Sequence, residues 1–384
     1  MQAEPPESSF LRGNNVYSSY TDATAVILQA PYEETASYGK GTAGGPAAIV
    51  QASEFLELYD IPSRSKPSDI GIATLPPIAM ECSPEQAVAL VEEQVAAVLR
   101  DGKKPVLIGG EHSLTIGAVR AVHKSSPDVG VLQLDAHADL RAQYEGTPLS
   151  HACAMRRVAD LGVPHVGVGI RSMSEEEARF VEENGILLVG PDFETRCGGG
   201  PPRSMGLRPE TRCGGGPPRS MGLRPETRCG GDPPRSMGLR PETRCGGGPP
   251  RSMGLRPETR CGGDPPRSMG RRHGERQASA ASAPSVGARP RSEAMEEAIE
   301  TLPAAVYVSI DIDVLDPSCM PATGAPEPGG LAWGELTAAL QALADTGKEI
   351  VGFDVMELAP IAGLHFCDYT AARLVYRMIG MFWG

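Results

Sequence analysis

The stretch VGVLQLDAHADL (residues 129–140) runs without a break from an apolar segment into three ligand-type side chains. Val129 to Leu134 is short and almost wholly apolar, which reads as a strand buried on both faces. Asp135, His137 and Asp139 follow at every second position, so an extended backbone places them on one side. A doubly buried strand belongs to a parallel sheet covered by helices. In such open sheets ligands bind beyond the carboxyl ends of the strands. The rest of the chain should then hold further strands of this kind, with polar groups at the same ends.

Working outward, PVLIGG (105–110) runs into Glu111 and His112, AVYVSI (305–310) into Asp311 and Asp313, and EIVGFDV (349–355) into Glu357. HVGVGI (165–170) and ILLVG (186–190) read as two more buried strands. Helices alternate with them. Residues 83–102 open with Ser83 as N-cap, Pro84 at the first helical position and Gln86 at the capping-box position,. Val88, Val91, Val95, Val98 and Leu99 form the apolar stripe, and Gly102 ends it. Residues 174–185 and 334–347 read as two further helices. The fold class is α/β, a mostly parallel sheet between helical layers. Four carboxylates, Asp135, Asp139, Asp311 and Asp313, would mass on one sheet edge. Two divalent cations would neutralise them. Mixed oxygen and imidazole ligation suits Mn2+ or Mg2+, with the imidazoles favouring Mn2+.

One region breaks the alternation. From Glu194 the unit ETRCGGGPPRSMGLRP recurs five times with a period of 16, and a tail rich in Ala, Ser and Arg follows to Arg291. Each unit has one Leu and one Met as its sizeable apolar residues, too few to offset chain entropy. Residues 194–291 therefore read as a disordered, low-complexity insertion in a single domain formed by 1–193 and 292–384. The insertion holds 19 Arg and 8 acidic residues against a chain total of −12, which leaves −23 on the rest. An acidic body is a poor partner for nucleic acid and attracts small cations. No apolar run approaches the ~20 residues of a membrane span, and the first twenty residues lack a signal-like apolar core. The expected location is cytoplasmic, without membrane or nucleic-acid partners. Five of the nine cysteines belong to the repeat, and the other four show neither a disulfide framework nor paired zinc spacing,.

GGEHS (109–113), DAHAD (135–139), SHACAMRR (150–157), SIDIDVLDPS (309–318), PATGAPEPGGL (321–331) and DVMELAP (354–360), in this order, resemble the ureohydrolase, or arginase–agmatinase, family. PYEETASYGKGTAGGPAAI (31–49) is similar to the loop after that family's first strand. The resemblance implies a three-layer α/β/α fold around an eight-stranded, mostly parallel sheet. It implies a trimer or hexamer with two Mn2+ per subunit, which cleaves a guanidinium group by a metal-bridging hydroxide to give urea and an amine. Carried over by motif, His112, Asp135, Asp139 and Asp311 would hold one ion. Asp135, His137, Asp311 and Asp313 would hold the other, with Asp135 and Asp311 bridging. Glu357 would pair with the guanidinium, and His151 would carry protons to the leaving amine.

The resemblance also bears on substrate. The loop LRAQYEGTPLSHA (140–152) lacks the Asn and Ser pattern with which arginases hold an α-carboxylate, so agmatine, giving putrescine, is the expected substrate. Guanidinobutyrate and arginine are the alternatives within the family. A catalytically idle scaffold is the alternative outside it, if the insertion disrupts assembly. A metal-dependent deacetylase on a related fold is disfavoured, because that chemistry uses one Zn2+ and a different His pair. Two departures stand out. Glu111 replaces a common Asp, with a slight reorientation of His112 expected. Glu34 replaces a common Gly, which would strain the loop if the backbone there is left-handed.

Overall fold

Val129–Leu134 is a strand buried along its whole length (β4). Its neighbours are built alike: β1 (Ala25–Ala30), β2 (Ile72–Thr74), β3 (Lys104–Gly109), β5 (His165–Val168), β6 (Leu187–Val189), β8 (Ala305–Asp311) and β9 (Glu349–Met356). These eight strands pair in parallel in the order β2-β1-β3-β9-β8-β4-β5-β6. A two-residue strand, β7 (Glu194–Thr195), pairs antiparallel with β6 at the edge. The computed structural model describes residues 1–5, 8–12, 14, 18–190, 194–195 and 291–384, with the backbone alone at 194–195 and 291–292. Apart from these few positions, the tandem repeats, read from sequence as a disordered insertion, lie outside the described residues.

Alternation along the strands divides the core. Ala25 and Ile27 of β1, and Val306, Val308 and Ile310 of β8, face one apolar cluster. Val26 and Leu28 of β1 and Tyr307 of β8 face the other. The first cluster is closed by α1 (Gly45–Ala52), α6 (Arg291–Glu300), α7 (Trp333–Asp345) and α8 (His365–Trp383). The second is closed by α2 (Pro84–Arg100), α3 (Thr115–Ser125), α4 (Ala154–Asp160) and α5 (Glu175–Asn184). This is the expected three-layer α/β/α arrangement. Each fully buried Val, Leu or Ile stabilises it by roughly 1.5–3 kcal/mol, so Val308→Asp at the sheet centre would unfold it.

The expected caps are in place. Ser83 and Gln86 form a reciprocal capping box on α2, and Ser174 and Glu177 form one on α5. Gly185 ends α5 in the left-handed region. Glu34 has no positive φ, so the strain considered for that position is absent; Gly41, with φ +119°, makes the left-handed turn of this loop instead. Among the described residues, no helix is long and apolar enough to cross a membrane.

Candidate active site

Strands β3, β9, β8 and β4 are consecutive in the sheet and all parallel, so their carboxyl ends abut. His112 opens a 3-10 turn after β3. Asp135, His137 and Asp139 leave β4, Asp311 ends β8, Asp313 sits in the turn that follows it, and Glu357 follows β9.

The side chains converge as two adjoining groups, His112 with Asp135 and Asp139, and His137 with Asp135 and Asp313. His112 Nδ1 lies 3.1 Å from Asp135 Oδ2, 3.1 Å from Asp139 Oδ2 and 3.6 Å from Asp311 Oδ2. His137 Nδ1 lies 2.9 Å from Asp313 Oδ2 and 3.8 Å from Asp135 Oδ1. Asp135 thus turns one oxygen to each imidazole, the geometry of a bridging carboxylate. Asp311 turns Oδ2 to the first group, while its Oδ1 accepts the Asp313 N–H at 2.9 Å. Both histidine side chains aim Nδ1 inward. The first group is deep, with His112 and Asp135 fully buried. The second opens to solvent, and the His137 side chain is 28% exposed.

Residues that sequence reading missed hold these side chains in place. Ser309 Oγ donates to Asp354 Oδ1 at 2.8 Å, so its proton is committed, and it accepts from His112 Nε2 at 2.9 Å. A ring proton therefore sits on Nε2, which leaves Nδ1 as the atom for a cation; without one, burial opposes protonation but Asp135 and Asp139 hold the ring well above its ordinary value. Asp354 also accepts the hydroxyls of Thr115 and Tyr307, each at 2.9 Å. Gln133 donates its amide to Asp135 Oδ2 and to the His137 carbonyl, both at 2.9 Å. Arg171 directs its guanidinium to the carbonyls of Gly169, Asp313, Val314 and Glu327, tying together the loops beyond β5 and β8. Glu111 turns its carboxylate away from the His112 ring and binds Glu34, Thr35 and Ser113. Ser309, not Glu111, orients His112.

A cavity of about 250 Å³ opens onto the second group. His137, Asp139, Asp311, Asp313, Glu357 and His151 line its floor and wall, with Ser37, Tyr38 and Gly39 on one side and Arg141 and Tyr144 on the other. Glu357 anchors Oε1 on the His112 N–H at 2.8 Å. His151 meets Ser37 Oγ through Nε2 at 3.3 Å and packs edge-on to Tyr144. His112 and Asp135 lie beneath the lining. The structure thus gathers all eight residues expected from sequence around one pocket.

The arginase family profile matches residues 23–192 and 264–380. The chain belongs to the arginase family. It is a ureohydrolase, a hydrolase of linear amidines. It is 31% identical to an N(1)-aminopropylagmatine ureohydrolase of Synechocystis sp., over 96% of this chain and 91% of that one. It is 27% identical to an agmatinase of Pyrococcus horikoshii, over 94% of this chain and 92% of that one. The agmatine ureohydrolase structure from Thermoplasma volcanium shares the fold, with a TM-score of 0.66 at 24% identity over 97% of this chain and 94% of that one.

The electrostatics of this arginase-family centre fit cations. Burial, then Asp135, pushes Asp139 up to about 7. Burial, then Asp313 and Asp135, drives Asp311 well above the carboxylate range. Burial, then Glu111, pushes Glu357 up to about 8. Burial opposes protonation of His137, but Asp313, Asp135 and Asp139 together outweigh it and raise the ring to about 10. Carboxylates forced together and largely buried are stabilised by positive charge placed between them. His112 Nδ1 is buried without a hydrogen-bond donor to satisfy it, as a ligand nitrogen would be. Among the described residues no thiol joins either group, which suits a carboxylate- and imidazole-binding metal and not a thiolate-bound one.

Proposed function

We propose that this ureohydrolase cleaves agmatine to putrescine and urea, with manganese held by His112, Asp135, Asp139 and Asp311 at the deep position and by Asp135, His137, Asp311 and Asp313 at the shallow one. The observation that carries the reading is the placement of Glu357 and His151 in the cavity that opens onto these donors. Two divalent cations there would neutralise the carboxylates and lower the pKa of a water so that it attacks at neutral pH.

The chain's own groups do the rest. Glu357, its Oε1 fixed by the His112 N–H, accepts the N–H groups of the cationic guanidinium and sets its plane. The guanidinium and the cations counter the burial and like charges that push this carboxyl up. Water forms a bond to the guanidinium carbon, and the bond from that carbon to the substituted nitrogen breaks. Burial pushes the His151 ring down to about 4, with His112 and His137 adding to the fall, so at neutral pH the ring is uncharged; it takes the proton that the attacking water sheds and hands it to the departing amine. Such a ring releases a proton readily.

A tail without a carboxylate agrees with the acidic body and with the 140–152 loop. A second reading, N(1)-aminopropylagmatine, is favoured by the 31% identical relative of that name. The cavity suits it too, since Tyr38 at the rim is 82% exposed and a longer tail would project past it. The test is urea release by Mn2+-loaded protein from agmatine, N(1)-aminopropylagmatine, arginine and 4-guanidinobutyrate, with Asp135→Asn as control. Agmatine turning over fastest supports the first reading, and the aminopropyl compound turning over fastest supports the second. Urea mainly from arginine or guanidinobutyrate refutes both, and urea from none refutes the enzymatic proposal.

A further inference from the structure

A hydrogen-bonded chain joins the loop after β1 to the turn that carries His151, and neither the metal donors nor Glu357 takes part in it. His151 opens a 3-10 turn, His151–Cys153, so its backbone N–H has no partner inside the turn,. Ser150, just before it, has the extended backbone of an N-cap (φ −78°, ψ 158°), yet its side chain caps nothing. Among the described residues the buried Ser150 hydroxyl has no hydrogen-bond partner. The acceptor comes from far along the chain instead: the His151 N–H donates to Thr35 Oγ1 at 2.9 Å.

The Thr35 hydroxyl is itself fixed. Its proton goes to Glu111 Oε1 at 2.7 Å. The Glu111 carboxylate is fully buried and accepts three further bonds, from Ser113 Oγ at 2.5 Å and from the N–H groups of Glu34 and Thr35 at 2.8 and 2.6 Å. Thr35 is therefore held through both backbone and side chain by one carboxylate. Two residues on, Ser37 Oγ meets the far side of the same histidine, Nε2 at 3.3 Å. One loop thus grips His151 at its backbone and at its ring.

We propose that Thr35 is a positioning residue for His151: seated on Glu111, it caps the His151 turn from outside and fixes the imidazole at the cavity wall. The inference rests on the reading of His151 as proton donor. Without the hydroxyl the His151 N–H loses its acceptor, and Ser150 does not replace it, because an N-cap side chain bonds the second or third N–H of a turn and not the first. The turn then shifts, and displacement of a reacting group by about 1 Å costs up to 100-fold in rate.

The test compares Thr35→Val, Thr35→Ala, Thr35→Ser, His151→Asn and the double variant Thr35→Val/His151→Asn, each in the full Mn2+-loaded chain. Thr35→Val and Thr35→Ala should lower kcat about tenfold with KM and bound Mn2+ unchanged, and Thr35→Ser should restore it. His151→Asn should lower kcat by about 100-fold or more. The double variant should match His151→Asn alone, because Thr35 acts through the histidine. Independently of activity, amide exchange of the 147–153 segment should show His151 N–H protected in the wild type and exposed in Thr35→Val and Thr35→Ala. Multiplicative losses in the double variant, a wild-type kcat in Thr35→Val, or unchanged exchange would each overturn the inference alone. A fully active His151→Asn would overturn the proton-donor reading, and the inference with it.

Discussion

Replacing Ser309 with Ala removes one oxygen from the link between Asp354 and His112. Three contacts go with it, the bond accepted from His112 Nε2 at 2.9 Å, the bond donated to Asp354 Oδ1 at 2.8 Å and a longer contact with Thr115 Oγ1 at 3.3 Å. Ser309, His112 and Asp354 are all fully buried, and the volume of one oxygen falls short of the ~30 Å³ that water occupies in the liquid. No solvent replaces the lost partner. A buried donor left unsatisfied costs about 1–3 kcal/mol, and Asp354 keeps its bonds to Thr115 and Tyr307. The folded chain should therefore lose about 2–3 kcal/mol. The sharper effect is on the metal. With Nε2–H no longer anchored, the ring turns and the second nitrogen is no longer held as a bare ligand. Loss of such an outer contact weakens metal binding about 10- to 100-fold. Titration of Mn2+ followed by the resonance signal of the free ion should show one of two sites weakened by that factor, the other retained. Wild-type affinity at both sites, with or without a lower melting temperature, would refute the claim that Ser309 sets the His112 tautomer.

Three further outcomes follow from the same geometry. Mn2+ at about a hundred times its Kd should add about 2.7 kcal/mol of stability, a rise of several degrees in Tm, and Asp135→Asn, which alters the carboxylate facing both imidazoles, should abolish that rise in a thermal melt. Burial pushes His165 from 6.5 down to about 4, so the unfolded chain binds more protons between these values; stability present above pH 6.5 falls as pH drops to 4, by about 3 kcal/mol in all, and urea unfolding at pH 7 and pH 5 should show a smaller loss in His165→Leu than in the wild type. A Cβ on Gly110 would lie 1.9 Å from the Tyr32 carbonyl oxygen, which already accepts the Glu111 N–H at 3.0 Å; Gly110→Ala should cost more than about 3 kcal/mol and lower bound Mn2+, whereas a wild-type melt would show that the loop yields freely.

The candidate metal donors were legible because each is a side chain of unmistakable type near a strand end, with Asp135, His137 and Asp139, and Asp311 and Asp313, spaced by two residues. Strands β3, β4, β5, β6, β8 and β9 were legible as short apolar runs, but β2 has only three residues and offers no pattern. Helix α3 follows the 3-10 turn that His112 opens and is buried over most of its circumference, from Thr115 through Val119 to Val122, so it shows no polar face to mark it as a surface helix. Gln133 and Ser309 did carry a signal. Each stands two residues before a ligand, on the same side of its strand, but one polar residue in a buried strand has many explanations. Thr35 and Arg171 carried none, because they act on backbone groups up to 156 residues distant. Local pattern encodes where a strand ends and not what its loops will meet.

Backbone conformation was hidden in the same way, and it matters most at the site. Asp139 and Glu357 both have left-handed backbones, with φ +53° and +66°, a state that costs of order 1–3 kcal/mol for residues other than glycine. Glycine at either position would remove the strain, but also the carboxylate. The fold instead pins both turns: the Asp139 carbonyl accepts the Arg156 N–H at 3.0 Å, and the Glu357 N–H donates to the Gly110 carbonyl at 2.7 Å. The left-handed step carries Asp139 Oδ2 to His112 and Glu357 Oε1 to the His112 N–H. Two strained residues from different strands thus meet at the histidine that Ser309 and Asp354 fix from below. The strain lies where the donors converge, and bonds from helix α4 and from the loop after β3, rather than the local sequence, are what hold it.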